Sequence, residues 1–164
     1  MRTEHLSNNP SQTKRIGKAL AEKILKGELE KTAQILALQG DLGGGKTTFL
    51  QGFARGLGVK DKILSPTFVI LRKFKIKKQS YRKTKTTAKF KTFYHIDCYR
   101  IEKPKELLSL GFKKIISGSQ NIVAVEWAEH IKKILPQSAI LINFEFIGKN
   151  KRKIVIKWKK KKNV

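Results

Sequence analysis

The sequence is poor in cysteine, in proline and in long apolar runs. Its single cysteine, Cys98, excludes an intramolecular disulfide and a zinc site built from cysteines. Only 4 of the 164 residues are proline and 40% are hydrophobic, which argues against a globally disordered chain. No apolar run approaches the roughly 18 residues that a membrane span requires, and the polar N-terminus lacks the apolar core of a signal peptide. We therefore expect a cytoplasmic globular protein with one domain over residues 1–164.

Acidic residues are also scarce, so the chain is strongly basic. It has 37 Lys and Arg against 12 Asp and Glu, a formal net charge of +25. Ten basic residues and no acidic one fall between Arg72 and Lys91, and we interpret residues 75–91 as a basic insertion. A lysine-rich tail covers residues 159–164. Such charge favours RNA or another polyanion as partner, although a solvated loop and a frayed tail account for the same pattern.

The hydrophobic pattern alternates between short apolar runs and amphipathic segments. The first segment, residues 11–26, predicts a helix with Ser11 as N-cap and Gly27 as its end. The other predicted helices cover residues 47–57, 104–110 and 128–135, and the predicted strands cover 33–39, 67–76, 90–97, 121–126, 139–146 and 153–158. The strands on either side of the basic insertion are predicted to form a hairpin, as are the last two. This order predicts an α/β fold with a mixed parallel and antiparallel central sheet flanked by helices.

Residues 40–47 contain a motif that predicts nucleotide binding. They read Gly-Asp-Leu-Gly-Gly-Gly-Lys-Thr, which is the P-loop pattern G-x-x-x-x-G-K-[ST]. Its glycines allow successive backbone N–H groups to face a phosphate, and the following helix adds its N-terminal dipole. Lys46 supplies a charge to the β- and γ-phosphates, and Thr47 a hydroxyl to Mg²⁺. A predicted strand before the motif and a helix after it favour a P-loop NTPase-like domain.

Two acidic residues end predicted strands and are candidates for the chemistry of hydrolysis. Asp97 follows His95-Ile96, and Glu126 follows an apolar run, as a Walker-B acid does. Ligands of parallel α/β sheets bind beyond the carboxyl ends of the strands, where both acids would lie. We favour Glu126 for Mg²⁺ and Asp97 as the base that orients water, although the roles are exchangeable. Either acid is also a candidate for a helix N-cap or an ion pair with Arg100.

The motifs together resemble those of the TsaE family, also called YjeE. The matching segments are GDLGGGKTTF, SPTF, HIDCYR and VEWAE, and the resemblance extends over about residues 11–158. It implies a P-loop ATPase that uses ATP and Mg²⁺, hydrolyses ATP weakly alone, and is needed for threonylcarbamoyladenosine formation in tRNA. It also implies TsaB and TsaD as partners, with the threonylcarbamoyl transfer performed by TsaD and hydrolysis supporting turnover of the complex.

The resemblance assigns roles to individual residues. The nucleotide-binding positions fall on Thr13, Gly40, Asp41, Leu42, Gly43, Gly44, Gly45, Lys46, Thr47, Thr48 and Arg152, of which Thr13 corresponds to the position beside the base. Glu126, with Thr47, matches the metal-associated acid, and Asp97 matches the family's essential aspartate. Ser65 and Thr67 lie in a switch-like segment. The sequence departs from the family in the basic insertion, in the lysine tail and at Gly44, where alanine is usual.

Two other functions fit parts of the same pattern. A small-molecule kinase of the P-loop class would use the basic insertion as a lid, although its lysines outnumber its arginines and lysine lacks the bidentate fork that clamps phosphoryl groups. An RNA-binding module with a vestigial P-loop would explain the charge. Within the TsaE interpretation, tRNA contact is either indirect, through the partners, or direct, through the basic loop.

Overall fold

The computed structural model describes residues 1–64, 70–76 and 89–158, and a mixed β-sheet lies at its centre. Within these residues, seven strands are arranged in the order β1-β7-β6-β2-β5-β4-β3. They are β1 Arg2–Ser7, β2 Gln34–Gln39, β3 Leu71–Lys75, β4 Thr92–Asp97, β5 Asn121–Glu126, β6 Ile140–Gly148 and β7 Lys151–Lys157. The helices of this part of the chain are α1 Pro10–Lys26, α2 Lys46–Gly56, α3 Pro104–Ser109, α4 Phe112–Ser117 and a 3₁₀ helix, Ala128–Ile134.

The middle of the sheet is parallel and its edges are antiparallel. Strand β2 pairs in parallel with β6 and β5, and β5 pairs in parallel with β4. Strands β1 and β6 flank β7 in antiparallel pairs, and β3 is antiparallel to β4. The predicted α/β architecture with a mixed sheet is therefore confirmed. The parallel strands bring the ends of β2, β4 and β5 to one edge.

Alternating side chains of the strands contribute to two cores, one on each face of the sheet. In β2, Leu36 and Leu38 pack with α1 and α2, whereas Ile35 and Ala37 pack with α3, α4 and the 3₁₀ helix. The central strands are apolar on both faces because helices cover both, as expected for parallel strands. Helices α1 and α2 thus form one outer layer and the shorter helices the other.

Helices α1 and α2 approach so closely that glycines are needed between them. A Cβ atom added to Gly52 would lie 1.9 Å from the Lys14 carbonyl oxygen, and one added to Gly17 would lie 2.2 Å from the Phe49 carbonyl oxygen. Neither position has room for a side chain. The backbones of the two helices are therefore in direct contact.

Three details of the secondary structure differ from the sequence-based prediction. Ser11 is not the N-cap of α1: Asn9 caps the helix by accepting from the Gln12 amide at 2.9 Å, because Pro10 occupies the first helical position. Strand β1 was not predicted, since it is a mostly polar segment at the sheet edge in which only Ser7 is buried. Helix α4, of six residues, was also missed.

The hairpin predicted around the basic insertion is confirmed by its strands. Strands β3 and β4 are antiparallel, and beyond them the Ile76 amide donates to the Lys91 carbonyl at 2.9 Å. The Lys89 ammonium donates to the Gly27 carbonyl at the end of α1 at 2.8 Å. Most of the predicted insertion, residues 77–88, and the tail, residues 159–164, lie outside the described residues.

Candidate functional site

The P-loop connects β2 to α2 and has the backbone geometry that its glycines predict. Gly40, Gly43 and Gly45 have φ angles of 126°, 73° and 98°, in the left-handed region that favours glycine. Gly44 has no such angle, but a Cβ atom there would lie 2.9 Å from the Asp41 carbonyl oxygen. Alanine at this position would therefore require the loop of this chain to shift slightly.

Lys46 begins α2 and is buried against the loop. Its ammonium donates to the carbonyl oxygens of Gly40 and Asp41, the latter at 2.8 Å, and lies 3.8 Å from the centre of the Trp127 ring. Burial lowers the pKa of Lys46, whereas nearby carboxylates, led by Glu126, act in the opposite direction. The lysine side chain therefore lies against the loop that precedes it.

Glu126, at the end of β5, joins the P-loop to the sheet. The Thr47 hydroxyl lies 3.0 and 2.9 Å from Oε1 and Oε2 of its carboxylate. On the β4 side, Nε2 of His95 lies 2.7 Å from Oε1. Glu126 is 2% exposed, and His95 is fully buried. A buried carboxylate needs such hydrogen bonds because desolvation disfavours its charge.

Asp97 lies beside Glu126 because β4 and β5 are parallel and in register. The two acids are paired positions at the carboxyl ends of their strands, as the sequence predicted. Asp97 is 3% exposed, and its Oδ1 accepts from the Tyr99 amide at 2.9 Å. Both predicted acids therefore reach the edge of the sheet where the P-loop lies.

Thr13 and Arg152 flank the P-loop from two other elements. A Cβ atom at Gly45 would lie 3.8 Å from the Thr13 methyl group and 3.9 Å from Cγ of Arg152. Arg152, in β7, donates through Nε and Nη2 to the Gly43 carbonyl at 3.2 and 2.9 Å. Thr13 is buried, and its hydroxyl lies 2.7 Å from that of Ser7. The structure thus brings both residues to the predicted site.

The loop, the two acids and two aromatic residues enclose a cleft of about 490 Å³. Its lining includes Leu42, Gly43, Gly44, Gly45, Lys46, Thr47, Thr48, Asp97, Tyr99, Glu126 and Trp127. Gly40 and Asp41 are not among the residues that line it, and their carbonyl oxygens accept from the Lys46 ammonium. Ser65 and Thr67 lie outside the described residues, so their switch-like role stays a prediction.

Two aromatic residues that line the cleft, Trp127 and Tyr99, are harder to predict from the sequence than the P-loop and the acids. Trp127 has a φ angle of 56°, which costs a non-glycine residue on the order of 1–2 kcal/mol. This turn directly after β5 places its ring over Lys46 and 5.0 Å from the Tyr99 ring. Tyr99 was not predicted, although its position two residues after Asp97 could have indicated it. Cys98, which stands between Asp97 and Tyr99 in the sequence, is buried, and burial raises the pKa of its thiol to about 12.

The chain is similar in sequence to proteins of one family. The family model "Threonylcarbamoyl adenosine biosynthesis protein TsaE" matches residues 7–154. The tRNA threonylcarbamoyladenosine biosynthesis protein TsaE of Rickettsia felis is 36% identical over 146 residues, which are 88% of this chain and 74% of that protein. The protein of the same name from Bacillus subtilis is also 36% identical over 146 residues, 89% of this chain and 79% of the relative.

A solved structure has the same fold. The crystal structure of Bacillus subtilis YdiB matches with a TM-score of 0.68 and 31% sequence identity, over 95% of this chain and 84% of that one. In the part of this chain that the structure describes, no helix has the length and apolar character needed to cross a membrane. On the family match and these identities, the chain belongs to the TsaE family of threonylcarbamoyl adenosine biosynthesis proteins.

Proposed function

We propose that this protein binds ATP with Mg²⁺ and hydrolyses it in support of threonylcarbamoyladenosine formation in tRNA. The observation that carries the proposal is the position of Glu126 and Asp97. They are neighbours at the ends of two parallel strands, and Glu126 contacts the Thr47 hydroxyl of the P-loop. A phosphate site with two adjacent buried acids has the parts that ATP hydrolysis needs.

The P-loop supports triphosphate binding through its backbone and its lysine. Left-handed glycines before the N-terminus of α2 are the backbone arrangement that offers N–H groups to an anion. The Lys46 ammonium, which lies against the carbonyls of the loop, would donate to the β- and γ-phosphates. Arg152, held on Gly43, adds a guanidinium beside the same loop.

The residues present also fit Mg²⁺. Thr47 and Glu126 offer hydroxyl and carboxylate oxygens that are already in contact with each other, and Mg²⁺ prefers oxygen ligands. Bound there with ATP, the ion would neutralise charge on the phosphates. We assign Thr47 and Glu126 to the metal and Asp97 to the orientation of the attacking water. Tyr99 and Trp127 would limit the access of other water to the cleft.

Membership of the TsaE family supports a proposal about partners. We propose that the protein acts with a complex of TsaB and TsaD, and that its ATP hydrolysis supports turnover of that complex.

The experiment is an ATPase assay of the full chain, alone and with purified TsaB and TsaD. We expect slow Mg²⁺-dependent release of phosphate that increases with the partners and is lost in Lys46→Ala. The matched control is Lys132→Ala, an exposed lysine on the 3₁₀ helix. Hydrolysis that persists in Lys46→Ala would contradict the assigned site, and transfer of phosphate to a small acceptor would favour a kinase.

A further inference from the structure

A second groove lies on the outer layer of α1 and α2 and has a volume of about 620 Å³. None of its lining residues lines the nucleotide cleft. The groove is formed by α1, by the C-terminal half of α2 and by the loop that follows α2. Its lining comprises Ser11, Lys14, Arg15, Lys18, Gln51, Gly52, Arg55, Val59, Lys60, Asp61, Lys62 and Ile63.

The groove is cationic along its length. Lys14, Arg15 and Lys18 follow Ser11 at helical spacings of three, four and seven, so they lie on one face of α1. Arg55, at the end of α2, and the loop lysines Lys60 and Lys62 add three further cations. The lining contains a single acid, Asp61. All six basic side chains are exposed. Among the described residues, Lys18 is the one member of the six with an ion pair, to Glu22 at 3.8 Å.

Backbone contacts fix the shape of this groove. The contact of Gly52 with the Lys14 carbonyl joins the two helices without intervening side chains. The following loop is held to α2 by the Val59 amide, which donates to Ala54 at 3.0 Å, and by the Gln51 amide group, which donates to Ile63 at 3.2 Å. The cations on the helices and on the loop are therefore presented by one preformed surface.

We infer that this groove binds the phosphate backbone of RNA. Its lining offers the hydroxyl of Ser11 and the amide of Gln51 together with lysine and arginine side chains, which are groups that contact phosphate and sugar. Its two apolar residues, Val59 and Ile63, are buried, and it contains no aromatic side chain among the residues that line it. Protein interfaces usually have an apolar or aromatic centre, so an acidic protein partner fits this groove less well.

The test measures binding of a fluorescein-labelled tRNA transcript to the full chain by fluorescence anisotropy over a range of salt concentrations. The groove variant is Lys14→Gln with Lys60→Gln and Lys62→Gln, which leaves the Lys18–Glu22 pair intact. The control variant is Lys105→Gln with Lys113→Gln and Lys132→Gln. It also removes three positive charges, at exposed positions on the opposite layer of helices.

We expect the groove variant to bind tRNA at least about tenfold more weakly than the control variant. The slope of log affinity against log salt should fall by about two, because each phosphate contact contributes about 0.7 to 0.9. Equal losses in both variants would overturn the inference and leave only a general effect of charge. Displacement of the tRNA by polyglutamate as readily as by unlabelled tRNA would overturn it in favour of an acidic protein. ATP hydrolysis, which uses the other site, should be the same in both variants, so the two proposals fail separately.

Discussion

The imidazole of His95 contacts the carboxylate of Glu126 inside the sheet, with Nε2 2.7 Å from Oε1. The Thr47 hydroxyl contacts the same carboxylate from α2. Within the described residues, Nδ1 of His95 has no hydrogen-bond partner. A histidine that carries its proton on Nε2 satisfies this arrangement, because that nitrogen then donates to Glu126. We therefore expect His95 to position Glu126, the acid that we assign to the metal.

Variants of His95 with side chains of different length test this positioning role. Glutamine can place an N–H group near the position of Nε2, whereas asparagine is too short. We expect His95→Asn to raise the Mg²⁺ concentration for half-maximal nucleotide binding about tenfold, and His95→Gln to change it much less. The reason is that a hydrogen bond to a charged group contributes about 1.5–3 kcal/mol.

The measurement is an Mg²⁺ titration that is monitored through the fluorescence of Trp127 in a Trp158→Phe background. Thermal unfolding without Mg²⁺ is the second readout, and His95→Asn should unfold at a lower temperature because a buried carboxylate loses a donor. Equal Mg²⁺ requirements in the two variants would show that the contact does not position Glu126.

The sequence predicts the α/β fold and the positions of the two candidate acids. Asp97 and Glu126 end hydrophobic strands, and parallel pairing alone brings such ends together, so their position follows from the pattern. The contact of His95 with Glu126 depends on which face of β4 the histidine occupies and on its rotamer, which spacing does not specify. The groove on α1 and α2 is another feature of tertiary structure, because its cations come from three segments. The sequence does not predict strand β1, because the segment forms a strand through its pairing with β7 and has no hydrophobic pattern of its own.

Lys46→Met should abolish nucleotide binding and leave the fold intact. Methionine keeps the apolar stem but removes the charge that we expect to contact the phosphates. Since burial lowers the pKa of Lys46, the folded protein does not favour the charged form, and its loss should not lower stability greatly. Binding of a fluorescent ATP analogue and urea unfolding measure the two properties. Lys132→Met is the control, and an unfolded Lys46→Met variant would contradict the prediction.

Asp97→Asn and Glu126→Gln should have different kinetic signatures. Both substitutions keep shape and remove charge. If Asp97 orients water, Asp97→Asn lowers kcat by about 100-fold or more while the Mg²⁺ requirement stays the same. If Glu126 holds the metal with Thr47, the main effect of Glu126→Gln is a higher Mg²⁺ requirement. Steady-state ATPase assays across an Mg²⁺ series separate these outcomes, and the reverse pattern would exchange the two roles.

Cys98 offers a pH-dependent test of how tightly the ends of β4 and β5 are packed. Burial, with the carboxylates of Asp97 and Glu129, raises the pKa of its thiol from 9.0 to about 12. The folded protein therefore holds this proton more tightly than the unfolded chain, and stability falls as the pH rises between these values.

At about pH 8 the free energies of unfolding of the wild type and of Cys98→Ala should differ only by the packing contribution of the thiol. At about pH 10 the wild type should lose a further ~1.4 kcal/mol relative to Cys98→Ala, because the unfolded thiol is then largely ionised. Urea unfolding of both proteins at the two pH values measures the change, since other groups titrate alike in both. A difference that does not change with pH would mean that the thiol ionises as it does in water and that this edge of the sheet opens to solvent.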